Sequence, residues 1–291
     1  MAFGVSLAIG FLIVAWLVRG IDASRLKDLA QVQWGWAFLL LVCTASMAVA
    51  VAERWRLIVR GMGATVLPSR LTLAATFMLG RVLAYVAPKD VADVAVRSIA
   101  LRVHAACPVR RGLCSVLLDR LFDLITILVF LVPALFTLTL QPTAVQIALG
   151  WTVFPLVAFS IVAAGHYHVL AGLLRTYNTS IALAAKLPLV GHRLSTLAVP
   201  PAEIAFLRNR TVVTRLLTVS LLKFGMNALR FVCVALALPV PIGALQTLFA
   251  LPVAQGAFVL LGFTPAALGI LEGGWAAGLA AQGIAAGDSA L

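Results

Sequence analysis

Charge is what this sequence is short of: 11% of its 291 residues are Asp, Glu, Lys or Arg, while 63% are hydrophobic and the mean hydropathy is +1.08. A soluble domain carries about 25% charged residues, and no window of the chain resembles one. There is no room for a separate catalytic domain, so any chemistry would fall to the membrane part or to a partner. Catalytic signatures are missing too. No Ser/His/Asp or Cys/His arrangement, Gly-rich nucleotide loop or Walker motif stands out, so nothing points to an ATP-driven pump, an enzyme or a cofactor. Cys43, Cys107, Cys114 and Cys233 lack metal or redox spacing and read as small hydrophobes, not disulfides. His104, His166, His168 and His192 lie in loops or at span ends. Since His166 and His168 would diverge on a helix, no metal site is expected.

What is present is a series of long apolar runs, the pattern of an all-α, polytopic integral membrane protein. The net charge of +12 and pI near 10.8 do not indicate nucleic acid. The basic residues are dispersed over short loops between apolar spans, as the positive-inside rule requires. Residues 1 to 18 have no basic residue before the apolar run and no clear cleavage site, so they read as a first helix. Further spans are expected at 34–52, 113–140, 144–164 and 211–238, with segments such as 168–187 lying in the interface. Single-domain organisation over 1–291 follows, with 1–140 and 141–291 as candidate halves.

Counting base then suggests a topology. The loops 53–70, 97–112 and 165–215 hold four, four and six Lys/Arg, against three in residues 19–33. Placing those three loops in the cytoplasm puts the N-terminus inside and requires 71–96 to enter and leave on one face, as a re-entrant hairpin with its tip near Pro88. The apolar stretch 244–286 is broken in turn between Gly262 and Gly274, around Pro265 and Gly269. Two Pro-broken segments in corresponding places, entering from opposite faces, are the sequence pointer to an inverted repeat with a midplane site. The alternative is that 244–262 spans fully, with Pro252 only kinking it.

Charges inside these runs are candidate site residues, because ionisable groups at membrane depth are costly. Arg81, Lys89, Asp90, Asp93 and Arg97 surround Pro88. Asp119 and Asp123 share a helix face at i,i+4 and Arg120 reaches Asp123 at i,i+3, which suits either an internal ion cluster that pins the helix or a phosphate ligand held by flanking carboxylates. Lys223, Asn227 and Arg230 form one polar stripe on an apolar helix. Snorkelling explains Lys223 alone; an anion-binding cavity wall explains all three. Glu272, in the second break, either caps its own helix or supports a site made by unwound backbone.

Four segments also match a known pattern: E-R-W-R-L-I at 53–58, A-P-K-D-V-A-D-V-A-V-R at 87–97, L-L-D-R-L-F-D-L at 117–124 and T-P-A-A-L-G-I-L-E-G-G at 264–274. In order and spacing the sequence resembles the transmembrane region of lysylphosphatidylglycerol synthases and similar stand-alone membrane proteins. It departs from that pattern at Ala92, where a Gly usually precedes the Asp, and at Ala266 and Ala267, which replace glycines. The resemblance implies a flippase-like domain that moves lipids with modified head groups between leaflets. The soluble synthase domain has no counterpart here, so synthesis of lysylphosphatidylglycerol is not expected.

Taken together, the residues and the resemblance favour translocation of a phosphate-bearing or aminoacyl- or glyco-modified lipid across a bacterial inner membrane, through roughly six spans plus one or two hairpins. Arg81, Lys89, Arg120, Lys223 and Arg230, with Asn227, would bind the head group; Asp93, Asp119, Asp123 and Glu272 would hold those cations, the nine charges pairing when the cavity is empty. Membrane lipids are the expected partners, with a lipid-modifying enzyme as a further one. The alternative is a non-transporting accessory subunit of a lipid-modifying or glycolipid/hopanoid assembly complex, its charges purely structural. A membrane-embedded transferase would need Asp93 or Glu272 as its base.

Overall fold

Apolar runs in a membrane must satisfy their backbone groups internally, and here they do so as helices. The computed structural model describes residues 32–84, 89–105, 107–140, 143–184, 199–238, 242–261 and 270–284. Among them the regular elements are α1 (Trp34–Gly61), α2 (Arg70–Leu83), α3 (Lys89–Ala105), α4 (Val109–Leu140), α5 (Ala144–Ala164), α6 (His166–Ala184), a 3₁₀ helix (Pro201–Arg208), α7 (Arg210–Ala237), α8 (Ala244–Leu261) and α9 (Ile270–Ala280). Among the described residues four helices are long and apolar enough to cross a membrane: Trp34–Gly61, Val109–Leu138, Val145–Ala164 and Arg210–Ala237. The expected first span at 3–18, the tip Pro88, and the breaks at Pro265 and Gly269 lie outside the described residues.

Helix ends follow local chemistry. Ser69 caps α2 by accepting from the Thr72 amide at 3.0 Å, Thr143 and Gln146 form a reciprocal capping box on α5, and the Asn209 side chain caps α7. Two segments expected to be basic loops, 53–70 and 97–112, are instead largely helical: α1 runs on to Gly61, α3 to Ala105, and α4 starts at Val109. Arginine is a good helix former, and Arg54 and Arg97 find carboxylates inside the bundle, so nothing forces the backbone out to water. The helix α8 continues through Pro252.

The two 28-residue helices α1 and α7 are antiparallel partners. The Gln33 amide donates to the Ala237 carbonyl at 2.9 Å, Met47 packs near Met226, and Arg54 Nη1 donates to Ser220 Oγ at 3.1 Å. Each is followed by a pair of shorter helices that double back. In the first pair Gly80 abuts Asp93, while Leu73 and Leu101 share a cluster with Val59, Ala64, Leu67, Ala105 and Cys107. The α2–α3 hairpin therefore leaves from, and returns to, the Gly61 end of α1. In the second pair Gly274 lies against Ala254 and Gly278 against Ala250, and Ile242 and Ile284 meet beside Ala235. That hairpin begins and ends at the Ala237 end of α7, which is the opposite end of the antiparallel pair.

Around the Gly61 end, α6 buries Leu170 and Leu174 with Leu207, Ile58 and Leu118 and exposes His168 and Arg175. Asn178 grips both backbone groups of Val199, its Nδ2 donating to the carbonyl and its Oδ1 accepting from the amide, each at 3.0 Å.

The α8–α9 contact is close enough that a Cβ on Gly278 would sit 2.8 Å from the Ala250 Cα, against backbone that cannot rotate away. Gly278→Val is expected to destabilise the protein by about 1–3 kcal/mol, read as a lowered Tm in detergent. On α7, Gly225 has open space around it, so Gly225→Ala is expected to leave Tm unchanged or raise it, by up to about 1 kcal/mol. Equal losses at both positions would contradict the packing described.

Candidate functional site

Helical periodicity sets the site. On α4, Asp119 and Asp123 stand one turn apart on one face; on α3, Asp93 and Arg97 do the same; on α7, Ser220, Lys223, Asn227 and Arg230 form one stripe. With Arg54 from α1, these faces converge between the four helices. Asp119 uses both oxygens on arginines, Oδ1 accepting from Arg54 Nε at 2.6 Å and Oδ2 from Arg97 Nη1 at 2.8 Å. Asp123 Oδ1 sits 2.7 Å from Arg54 Nη1 and 2.5 Å from Lys223 Nζ, and its Oδ2 lies 2.6 Å from the same ammonium and 3.8 Å from Arg120 Nη1. Asp93 Oδ2 accepts from Arg120 Nη2 and lies 4.0 Å from Arg97 Nη2.

The remaining valences are mostly met. Ser220 Oγ donates to the Leu216 carbonyl at 2.7 Å and so presents a lone pair to Arg54. Trp55 Nε1 donates to Ser115 Oγ at 3.0 Å, tying α1 to α4 beside the cluster. Arg97 is further held by aromatic faces, its guanidinium carbon 5.2 Å from the Trp55 ring centre and 6.0 Å from that of Phe77. Asp93 Oδ1, Arg54 Nη2 and Arg97 Nε have no hydrogen-bond partner among the described residues.

Exposure divides the cluster in two. Arg54, Asp119, Arg97 and Asp93 are at most 2% exposed, whereas Lys223 and Asp123 reach 17% and Arg120 27%. Close to that open edge lies Arg81, within electrostatic reach of Arg120, Arg230, Asp93 and Asp123. Its guanidinium carbon stands 5.1 Å from the Phe77 ring centre, and among the described residues no carboxylate is within ion-pair distance of it. Arg230 Nη1 donates to Asn227 Oδ1 at 3.2 Å and contacts Met47 Sδ at 3.5 Å. Among the described residues, Arg54, Arg97, Arg120 and Lys223 thus pair with three carboxylates, and Arg81 and Arg230 lie beyond them, so the buried side is balanced and the accessible side cationic.

Of the residues singled out in the sequence, Arg120, Lys223, Asp93, Asp119 and Asp123 come together directly, with Arg81 close by. Asn227 serves Arg230 rather than the cluster. Glu272 lies in the first turn of α9 with its side chain exposed, where a carboxylate complements the helix dipole; it holds none of the described cations. Lys89 begins α3. Sequence reasoning missed Arg54 by assigning it to a solvent-facing loop, and it set Arg97 both among the charges around Pro88 and in the basic loop 97–112, although these are the two most buried cations among the described residues.

An all-helical bundle with charges paired inside apolar spans is the framework of a polytopic membrane protein. Residues 3–291 match the family described as the lysylphosphatidylglycerol synthase transmembrane region, and the chain belongs to it. No curated protein and no solved structure matches.

Removing one partner of a buried pair strands the other charge, at a cost of about 3–5 kcal/mol. Arg54→Met is therefore expected to lower stability and yield sharply, and Arg54→Met combined with Asp119→Leu to cost less than the two single losses added together, because Arg54 no longer needs Asp119 while Arg97 keeps only the more distant Asp93. The comparison is made by thermal unfolding in detergent; a double variant worse than the sum of the singles would refute the pairing.

Proposed function

We propose that the chain translocates a phosphate-bearing lipid, with or without an aminoacyl or glycosyl group on its head, across the bacterial inner membrane and has no enzymatic activity of its own. The observation that carries this reading is the cationic edge of the cluster. Arg81 lacks a carboxylate partner among the described residues, while Arg120 and Lys223 are held by carboxylates whose other sides are buried. A phosphodiester can take the place of those carboxylates at the accessible edge, because charge-assisted bonds to phosphate and to carboxylate use the same donors. The buried Arg54–Asp119–Arg97 core stays satisfied during that exchange. Membership of the family supports a lipid-related role.

In the membrane, α2–α3 and α8–α9 act as re-entrant hairpins beside roughly six spans, with the N-terminus cytoplasmic. At 14 and 11 residues and about 1.5 Å per residue, α2 and α9 fall short of the roughly 30 Å hydrocarbon core. The antiparallel α1–α7 pair supports reading 1–140 and 141–291 as inverted halves. Against transport stands a purely structural role, as an accessory subunit to a lipid-modifying enzyme, favoured by how completely Asp119 is consumed by Arg54 and Arg97.

Reconstituted liposomes separate the readings. Labelled phosphatidylglycerol or polyprenyl-phosphate lipids are expected to exchange leaflets faster than in empty liposomes, and Arg81→Gln to slow that exchange about tenfold or more. Exchange equal to empty liposomes for every lipid would leave the accessory role standing; head-group turnover would indicate an enzyme.

Topology has its own readout. Single cysteines at Ala64 and His104, in a background without the native four, are expected to be labelled from the same side of the membrane. Labelling from opposite sides would make 71–96 a full span.

A further inference from the structure

A guanidinium in an apolar bundle, lacking an anion of its own, needs something to fix its direction. Arg81 is held from below by an aromatic ring: Phe77, one turn earlier on α2, lies with its centre 5.1 Å from the Arg81 guanidinium carbon. The same ring is 6.0 Å from that of Arg97. Phe77 cannot move freely, being 3% exposed and packed among Met47, Ala48, Val51 and Met226 from α1 and α7. Next to it, Gly80 leaves room that a Cβ would fill at 2.8 Å from Asp93 Oδ1, so α2 approaches α3 closely where Arg81 leaves the helix.

We infer that Phe77 is a positioning residue whose π face directs the Arg81 guanidinium to the cationic edge as the first ligand of an incoming lipid phosphate. This deepens the transport reading and rests on it for the choice of lipid. Two cations use one ring: Arg97 is already paired with Asp119, whereas among the described residues no carboxylate comes within ion-pair distance of Arg81, Asp93 and Asp123 acting on it only from further off. The ring quadrupole therefore supplies Arg81 with attraction without occupying its N–H donors. A carboxylate in that place would consume those donors and compete with the phosphate. Phe77 holds the guanidinium through its ring face without taking up an N–H donor in a hydrogen bond, and it does so without adding negative charge to the edge.

The test uses the full chain in detergent and dioctanoyl phosphatidylglycerol as the probe, with Kd and Tm measured together. Replacing Phe77 by 3,4,5-trifluorophenylalanine keeps the ring's shape and weakens its negative face. It is expected to raise Kd about 3- to 30-fold, the range a cation–π contact spans, with Tm unchanged. In an Arg81→Gln background the same fluorination is expected to leave Kd unaltered. Three outcomes overturn the inference: an unchanged Kd on fluorination, the same rise with Arg81 absent, or no binding of the probe by the unmodified chain. Leaflet exchange in liposomes tells the two readings apart. Binding with the fluorine effect but no exchange removes transport and keeps Phe77; exchange without a fluorine effect removes Phe77 and keeps transport.

Discussion

An arginine with no access to water can remain charged only beside an anion, and the pairing of Arg54 with Asp119 and Asp123 is the contact the bundle is built around. It draws α1 against α4, and through Ser220 it draws in α7. Arg97 then completes Asp119 from α3. Helices in lipid gain no hydrophobic driving force from touching one another, so these bonds and the close glycine contacts are what give the packing its specificity. Gly112, where a Cβ would lie 2.6 Å from the Ser98 Cα, lets α3 and α4 come near enough for the bonds to form.

That shared centre also explains why charge is graded across the site. Where four helices enclose the carboxylates, positive and negative charges are matched; along α2 and the polar stripe of α7, the described cations outnumber the described carboxylates. The excess arises from geometry as much as composition. Asp119 and Asp123 occupy only one turn and a half of α4, whereas the cations come from α1, α2, α3, α4 and α7, and the outermost of them extend past the acids.

Much of the helix layout was legible. The run 144–164 coincides with α5, and 211–238 is α7 displaced by one residue, because long apolar runs bounded by capping residues leave little choice. The i,i+4 spacing of Asp119 and Asp123 likewise placed both in one cluster. Arg54 was lost, and Arg97 left with two readings, because a count of basic loop residues treats every arginine as solvated, and burial of an arginine depends on a carboxylate 65 or 22 residues away. No local pattern announces the partner of Lys223, which is 100 residues earlier in the chain. Glu272 keeps both of its readings, because a carboxylate beside a break looks the same in sequence whether it serves a neighbour or its own helix terminus.

The long sequence separations bear on how the protein is made. Arg54 leaves the ribosome well before Asp119, and Lys223 long after Asp123, so α1 enters the bilayer as a helix carrying an arginine with no acid to meet it. Until α4 arrives, that side chain must reach for the head-group layer, holding α1 shallow or tilted. Arrival of α4 with its two aspartates allows α1 to settle, and α7 closes the cluster last. In chain order, α4 is thus the first of the described helices that can give Arg54 the carboxylates it ends beside.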